Sequence, residues 1–102
     1  MRYFALDFET GNASPLSACA LGVSIFEDGR LVGERVSLLR PPACAGKFHW
    51  GNVRVNHIKE KMVADAPSFA EVWEPLADIA EGCVIVCHNA MFDTNVLCSC
   101  LA

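Results

Sequence analysis

The chain opens with an apolar stretch, RYFALDFET at residues 2–10, which ends in two carboxylates two positions apart. Its nearly continuous apolar character predicts a buried β-strand over residues 2–8. Alternate side chains of a strand point to the same side, so Asp7 and Glu9 can approach one cation while Phe8 faces the core. The stretch therefore predicts a first strand that carries half of a metal site.

A second stretch, HNAMFD at residues 88–93, follows a short apolar run at residues 84–87. The run predicts a short buried strand, and a helix is expected to start near Met91. If this strand pairs beside the first one, Asp93 comes close to the two earlier carboxylates. Hard divalent cations prefer oxygen ligands, and paired ions can stabilise both oxygens of a phosphodiester displacement. The two stretches together are typical of a two-metal site.

The region between them predicts a hairpin. Strands are expected over residues 18–26 and 31–39, joined by the tight-turn dipeptide Asp28-Gly29. The pair Pro41-Pro42 ends the third strand. Residues 43–55 carry no pattern that assigns them, and a short helical turn is expected over 56–62.

A longer helix is predicted from Ser68, which forms a capping box with Glu71, to Gly82. Pro75 lies inside it and is expected to kink or divide it. The predicted apolar face consists of Phe69, Val72, Trp73, Leu76, Ile79 and Ala80. The order of elements predicts an α/β fold with three antiparallel strands, one parallel strand and flanking helices.

Composition sets broad limits. With 102 residues, 53% of them hydrophobic, the chain is expected to form a single domain over residues 1–102. Its net charge of −4 argues against a broad basic platform for nucleic acid, although divalent ions can supply positive charge locally. No segment is long enough to span a bilayer and no signal peptide is visible, so we expect no membrane contact and a cytoplasmic location.

The six cysteines are interpreted as reduced, packing thiols. On a strand, Cys83 and Cys87 would lie about 13 Å apart, beyond disulfide reach. On a helix, Cys98 and Cys100 would point about 200° apart, which disfavours a shared zinc ion. A redox or zinc protein is therefore the weakest of the alternatives.

Two motifs carry a family resemblance. FALDFETG at residues 4–11 and VCHNAMFD at 86–93 resemble the first and second motifs of the DEDD superfamily of 3′-to-5′ exonucleases, and most of all the bacterial DNA polymerase III epsilon branch. The resemblance implies a ribonuclease-H-like fold and metal-dependent hydrolysis at the 3′ ends of DNA or RNA. It also implies two Mg²⁺ or Mn²⁺ ions and a polymerase subunit as a possible partner.

The same resemblance implies roles for the carboxylates. Asp7 would bridge the two ions, and Glu9 would help to bind the ion that activates water. Asp93 would hold the second ion directly or through water. On the same basis Thr10 would lie near the terminal nucleotide, while His88 and Asn89 would shape the strand-to-helix junction beside the substrate.

The chain departs from the family pattern in two places. Asn56-His57-Ile58 stands where the family commonly has His-Gly-Ile. The family also has a third motif, on a further strand and helix, with a His or Tyr general base and a fourth Asp, and the residues after Asp93 contain no equivalent. We therefore expect an incomplete domain that lacks the last strand and helix, binds metal weakly and has little or no activity alone.

An incomplete domain would expose apolar surface at Val86, Leu97 and Leu101. We expect a homodimer or a strand-exchanged assembly that buries this surface. A non-catalytic module that binds nucleic acid or a polymerase-like partner is the main alternative. His49 and His57 are expected to be surface residues. Trp50 is expected to pack on the domain, with stacking on a base as the alternative, and Trp73 is expected in the core.

Overall fold

The first strand, β1 (Arg2–Thr10), occupies an inner position of a four-stranded sheet in the computed structural model, which describes all 102 residues. It pairs antiparallel with β2 (Ala18–Glu27) and parallel with β4 (Val84–Cys87). The remaining strand, β3 (Arg30–Leu38), pairs antiparallel with β2, which gives the order β3-β2-β1-β4. The predicted arrangement of three antiparallel strands and one parallel strand is confirmed.

The predicted hairpin turn is also confirmed. Asp28 and Gly29 have φ angles of 52° and 82°, as expected for the two central residues of a tight hairpin turn. The carboxylate of Asp28 lies 2.9 Å from the amino group of Met1, which ties the turn to the start of β1.

Four helices complete the fold: α1 (Trp50–Asn56), α2 (Glu60–Val63), α3 (Phe69–Ala80) and α4 (Ala90–Leu101). The unassigned residues 43–55 thus contain most of a helix. The helical turn predicted over 56–62 was wrong in its start, because Asn56 ends α1 and His57 follows it in the left-handed region with φ of 62°. That conformation stops one helix before the next begins.

Helix α3 begins with the predicted capping box, in which Ser68 and Glu71 exchange hydrogen bonds through their backbone N–H groups and side chains. Pro75 was expected to kink or divide this helix; division was wrong, since α3 runs without interruption through the proline, and the kink stays a prediction. Val72 and Leu76, on either side of the proline, are buried against the sheet. Their packing holds the helix together where one backbone hydrogen bond is absent.

Helices α3 and α4 cover one face of the sheet. Trp73 packs edge-to-face on Phe4 and stacks on Phe69, with ring centroids 5.9 and 5.7 Å apart, as expected for a residue at the core. The buried cluster on this face consists of Phe4, Leu6, Phe8, Ala18, Leu21, Val23, Leu39, Val72, Leu76 and Val96. Residues in alternate positions of β1 therefore point to the opposite face.

The opposite face of the sheet is open. A shallow hollow of about 460 Å³ lies on it, bordered among others by Ala5, Asp7, Val36 and His88. Strand β4 was expected to be buried, but its three aliphatic side chains are 43–45% exposed, because the strand is at the edge of the sheet. None of the helices has the length and apolar character needed to cross a bilayer.

Candidate active site

A buried hydrogen bond joins the two sequence motifs. The backbone N–H of Phe8 donates to Oδ1 of Asp93 over 2.9 Å, and the Asp93 side chain is 1% exposed. Strand pairing between β1 and β4 ends at Leu6 and Cys87, so the N–H of Phe8 lies beyond the last paired residue. The carboxylate of Asp93 supplies the acceptor that β4 no longer provides.

The start of α4 positions this carboxylate. Asp93 is in the first turn of the helix, where a negative charge is favoured, and its Oδ2 accepts a weaker hydrogen bond of 3.4 Å from the N–H of Asn89. Asn89 is the residue immediately before the helix. Asn89 therefore lies at the strand-to-helix junction, and its role there stays a prediction.

Asp7 and Glu9 flank Phe8 on β1 and lie on the open side of the sheet. Asp7 is exposed and borders the hollow on that face, and Glu9 is half-buried. Burial raises the pKa of Glu9 above its usual value, and the negative charges of Asp7 and Asp93 raise it further, whereas a hydrogen bond from Asn56 lowers it. The carboxylate of Glu9 is therefore close enough to those of Asp7 and Asp93 to be repelled by both.

Their side chains do not form a closed cage. No group of three or more His, Cys, Asp or Glu side chains lies close enough together to hold a metal ion. The carboxylate of Asp93 accepts hydrogen bonds from the backbone N–H groups of Phe8 and Asn89. The chemistry of the donors suits Mg²⁺ or Mn²⁺. Their role as metal ligands stays a prediction.

The carbonyl of Thr10, at the end of β1, is held by two side-chain amides of α1. Asn52 donates to it over 3.1 Å and Asn56 over 3.0 Å. Thr10 itself is 7% exposed, so little of its hydroxyl is free to meet a substrate. The two asparagines were not recognised in the sequence as part of the site, although their i, i+4 spacing places them on one face of a helix.

Gly11 lets the segment before α1 approach the same strand end. The N–H of His49 donates to the carbonyl of Gly11 over 2.8 Å, and a Cβ added at Gly11 would lie 2.5 Å from the ring of Phe48. A larger residue would push this ring away. The glycine of the first motif is therefore required for the docking of α1 beside Glu9.

A second hollow, of about 300 Å³, adjoins the carboxylates. Glu9, Thr10, Asn52 and Asn56 form its polar side, and Val55 and Phe92 form its apolar side. Val55 is 79% exposed and Phe92 38% exposed. A flat apolar group can pack against these accessible side chains, and the carboxylate of Glu9 can attract a cation beside it.

The placement of the remaining predicted residues is mixed. His88 borders the hollow on the open face together with Asp7, and the structure gives it no hydrogen-bond partner of its own. His49 and His57 are exposed, as expected. Trp50 was expected to pack on the domain, which was wrong: it is 70% exposed at the start of α1.

Comparisons with known proteins agree with the two motifs. A sequence profile of the exonuclease family, RNase_T, matches residues 4–98. A DNA polymerase III subunit epsilon-like protein of Rhodobacter capsulatus is 37% identical over 88% of this chain and 12% of its own length. The DNA polymerase III subunit epsilon of Escherichia coli is 32% identical over 94% of this chain and 42% of its own length.

The fold has a close counterpart among solved structures. Exonuclease I of E. coli, solved in complex with an oligonucleotide, superimposes with a TM-score of 0.84 over 98% of this chain and 23% of its own chain, at 15% identity. The predicted ribonuclease-H-like fold is confirmed by this likeness. The chain spans less than half the length of each of these three proteins.

The chain belongs to the exonuclease family. Within that family it is a domain of the DEDD 3′-to-5′ type, similar to the epsilon subunit of bacterial DNA polymerase III, as its two motifs predicted.

Proposed function

We propose that this chain is a metal-dependent exonuclease domain that hydrolyses the terminal phosphodiester bond at the 3′ end of a nucleic acid. The hydrogen bond between Phe8 and Asp93 carries the proposal, because it fixes the second motif against the middle of the first. Family membership supports the hydrolytic chemistry. The E. coli relative is named as a DNA polymerase III subunit, and the solved exonuclease I holds an oligonucleotide, which supports a nucleic-acid substrate.

The carboxylates are the proposed metal ligands. Asp7 and Glu9 would bind Mg²⁺ or Mn²⁺ from the open side of β1, and Asp93 would hold a second ion directly or through water. Burial raises the pKa of Glu9, and repulsion from Asp7 and Asp93 raises it further; this repulsion supports the assignment, because a cation would relieve it. When bound, the ions would supply positive charge to the attacking and leaving oxygens.

The hollow beside Glu9 is the proposed site of the terminal nucleotide. Phe92 offers a ring on which a base can stack, and Val55 offers a second apolar contact. The amides of Asn52 and Asn56 hold the strand end that forms the floor of this hollow. Thr10 and Asn89 would then act mainly through their backbone groups, and His88, which borders the hollow on the open face together with Asp7, would face the substrate.

We further propose that the polypeptide of 102 residues binds metal weakly and degrades its substrate slowly. The carboxylate of Asp93 already accepts two backbone hydrogen bonds, which leaves Asp7 and Glu9 as the more available ligands. Two carboxylates without a third converging ligand make a low-affinity site for a hard cation.

The test combines Mn²⁺ titration calorimetry with degradation of 3′-labelled DNA and RNA oligonucleotides. The Asp7→Ala variant is expected to lose both the heat of binding and the release of label. Asp78→Ala, an exposed aspartate on α3, is the matched control and is expected to keep both. Equal Mn²⁺ binding by the wild type and Asp7→Ala would refute the proposed ligands.

A non-catalytic binding module is the second candidate. The engagement of Asp93 with backbone N–H groups favours it, since that carboxylate has a structural role independent of metal. Such a module would bind a nucleic acid or a polymerase subunit without releasing the 3′ label. If the protein binds the oligonucleotide at saturating Mn²⁺ but does not cleave it, the non-catalytic module is supported.

Self-association through β4 is a separate proposal. The outer edge of β4 carries no charged side chain, and Val84, Ile85 and Val86 are all exposed. Edges of this kind pair readily with another strand. Sedimentation velocity over a range of protein concentrations is expected to show a dimer, and a monomer at all concentrations would rule it out.

A further inference from the structure

Positive charge is concentrated in one segment of this acidic chain. Five of its eight Lys and Arg residues lie within residues 40–61, which contain a single acidic residue, Glu60. All five are exposed, and none takes part in the ion pairs of the structure, which are Met1 with Asp28 and Arg2 with Glu27. The five basic residues are Arg40, Lys47, Arg54, Lys59 and Lys61.

This basic segment, residues 40–61, is fixed next to the carboxylates. Its helix α1 is anchored by the bonds from Asn52 and Asn56 to Thr10, and the residues before the helix by the bond from His49 to Gly11. The segment that carries the positive charge is thus attached to the end of β1, next to Glu9.

A series of adjoining hollows leads along the segment. Asn52 borders both the hollow beside Glu9 and a neighbouring one of about 610 Å³. Lys47 borders that neighbour and a further hollow of about 310 Å³, which also includes Arg40. Three neighbouring hollows, which share Asn52 and then Lys47, therefore follow one another from Glu9 to Arg40.

The ring of His49 borders the middle one of these hollows, and the ring of Trp50 lies against that of His49. The rings of His49 and Trp50 lie against each other with centroids 5.3 Å apart and planes at 30°. Trp50 nevertheless remains 70% exposed, so its other surface is free. Exposed rings beside a row of cations are what single-stranded nucleic acids require, because bases stack on the rings while phosphates meet the cations.

We propose that the basic segment is the path of a single-stranded nucleic acid, running from the hollow beside Glu9 past Lys47 to Arg40, with an unpaired base stacked on Trp50. The inference rests on the proposed function, since it assumes that the 3′ end lies at Glu9. A duplex does not fit the same contacts, because its bases are already stacked and paired. The contacts are to phosphates and base faces, so the path accepts DNA and RNA alike.

The experiment measures binding without catalysis. Fluorescence anisotropy with labelled oligo(dT) and oligo(U) of about 15 nucleotides, in EDTA and at several salt concentrations, reports the path alone. Trp50→Leu is expected to weaken binding about tenfold, while Trp50→Phe, which keeps a ring, is expected to bind nearly as the wild type does. The double variant Arg40→Ala/Lys47→Ala is expected to reduce the slope of log affinity against log salt by about 1.4.

The matched control is the double variant Arg30→Ala/Arg35→Ala, which removes two exposed arginines from β3, outside the segment. It is expected to leave the salt slope nearly unchanged. The path would be overturned by any of three results. These are an equal change of the salt slope in the two double variants, wild-type affinity in Trp50→Leu, or equally tight binding of a blunt duplex. If the wild type cleaves in a manner that depends on Asp7, but the Trp50 and Arg40/Lys47 variants bind as the wild type does, the path is refuted and the hydrolytic function stands. If these variants lose binding but no protein cleaves the oligonucleotide, the hydrolytic function is refuted and the path stands.

Discussion

The backbone N–H of Phe8 donates a hydrogen bond of 2.9 Å to the carboxylate of Asp93, a buried contact between residues 85 positions apart. It lies between the positions of the two carboxylates of β1, Asp7 and Glu9, and ties the start of α4 to the middle of the sheet. One aspartate thus serves both the stability of the fold and the charge of the site.

Replacing Asp93 is expected to reveal this structural role. Asp93→Ala leaves the N–H of Phe8 buried without an acceptor, and the free energy of unfolding should fall by about 2–3 kcal/mol. Asp93→Asn keeps one carbonyl oxygen for Phe8 and should lose about 1 kcal/mol. Urea unfolding measures both, with Asp78→Ala expected to stay within about 0.5 kcal/mol of the wild type. If Asp93→Ala were as stable as this control, the proposed anchoring would be wrong.

The raised pKa of Glu9 predicts a pH dependence of stability. Its causes are burial, then the charge of Asp7, with a smaller contribution from Asp93. Folded Glu9 holds its proton more tightly than the unfolded chain does, so its contribution to stability is complete below about pH 4.3 and is lost as the pH rises through its raised pKa. Glu9→Gln should therefore gain stability relative to the wild type towards neutral pH.

Urea unfolding of Glu9→Gln and of the matched Glu74→Gln variant, at several pH values, measures this difference. Glu74 is exposed on α3, and its variant should follow the wild-type pH curve. Parallel curves for Glu9→Gln and the wild type would contradict the expected linkage.

Gly11 is expected to tolerate no side chain. In Gly11→Ala the new methyl group would overlap the ring of Phe48, at an expected cost of about 1–3 kcal/mol in unfolding free energy. Gly22→Ala is the control, because its Cβ would meet only ordinary contacts, the nearest at 3.9 Å. Thermal unfolding compares the two, and the added substitution Phe48→Leu should recover part of the loss in Gly11→Ala. Failure of that rescue would argue against the overlap as the cause.

Cys19 is expected to resist thiol reagents in the native protein. Burial raises its pKa to about 11, with the charge of Glu9 as a further cause. Relative to an ordinary cysteine, this shift makes its reactive thiolate roughly a hundredfold scarcer at pH 8. Mass spectrometry after brief alkylation should find Cys44 and Cys98 modified first, since both are exposed. Early modification of Cys19 would show that the strand opens more readily than its burial suggests.

The sheet and the three carboxylates could be predicted from the sequence because each depends on a local pattern. The apolar run at residues 2–8, the turn at Asp28-Gly29 and the capping box at Ser68 each carry their own physical signal. The two acidic motifs then had to meet once the run at 84–87 was paired with the first strand. The comparisons confirmed the family that those motifs indicated.

Helix α1 could not be predicted in the same way. Its sequence, WGNVRVN, contains glycine, asparagine and valine, which are weak helix formers, and it has no buried residue to create a periodic pattern. Its stability comes from the bonds of Asn52 and Asn56 to Thr10, which are tertiary contacts. The exposure of Trp50 could not be predicted either, for the same reason.

The uneven distribution of charge along this chain also affects how the proposed nucleic acid would approach it. Outside residues 40–61 the chain has eleven acidic residues and three basic ones, so most of its surface repels a polyanion. If a nucleic acid binds along the proposed path, this uneven charge would favour approaches in which residues 40–61 lead. Productive orientation would then be set before contact, and the association rate would fall steeply as ionic strength increases.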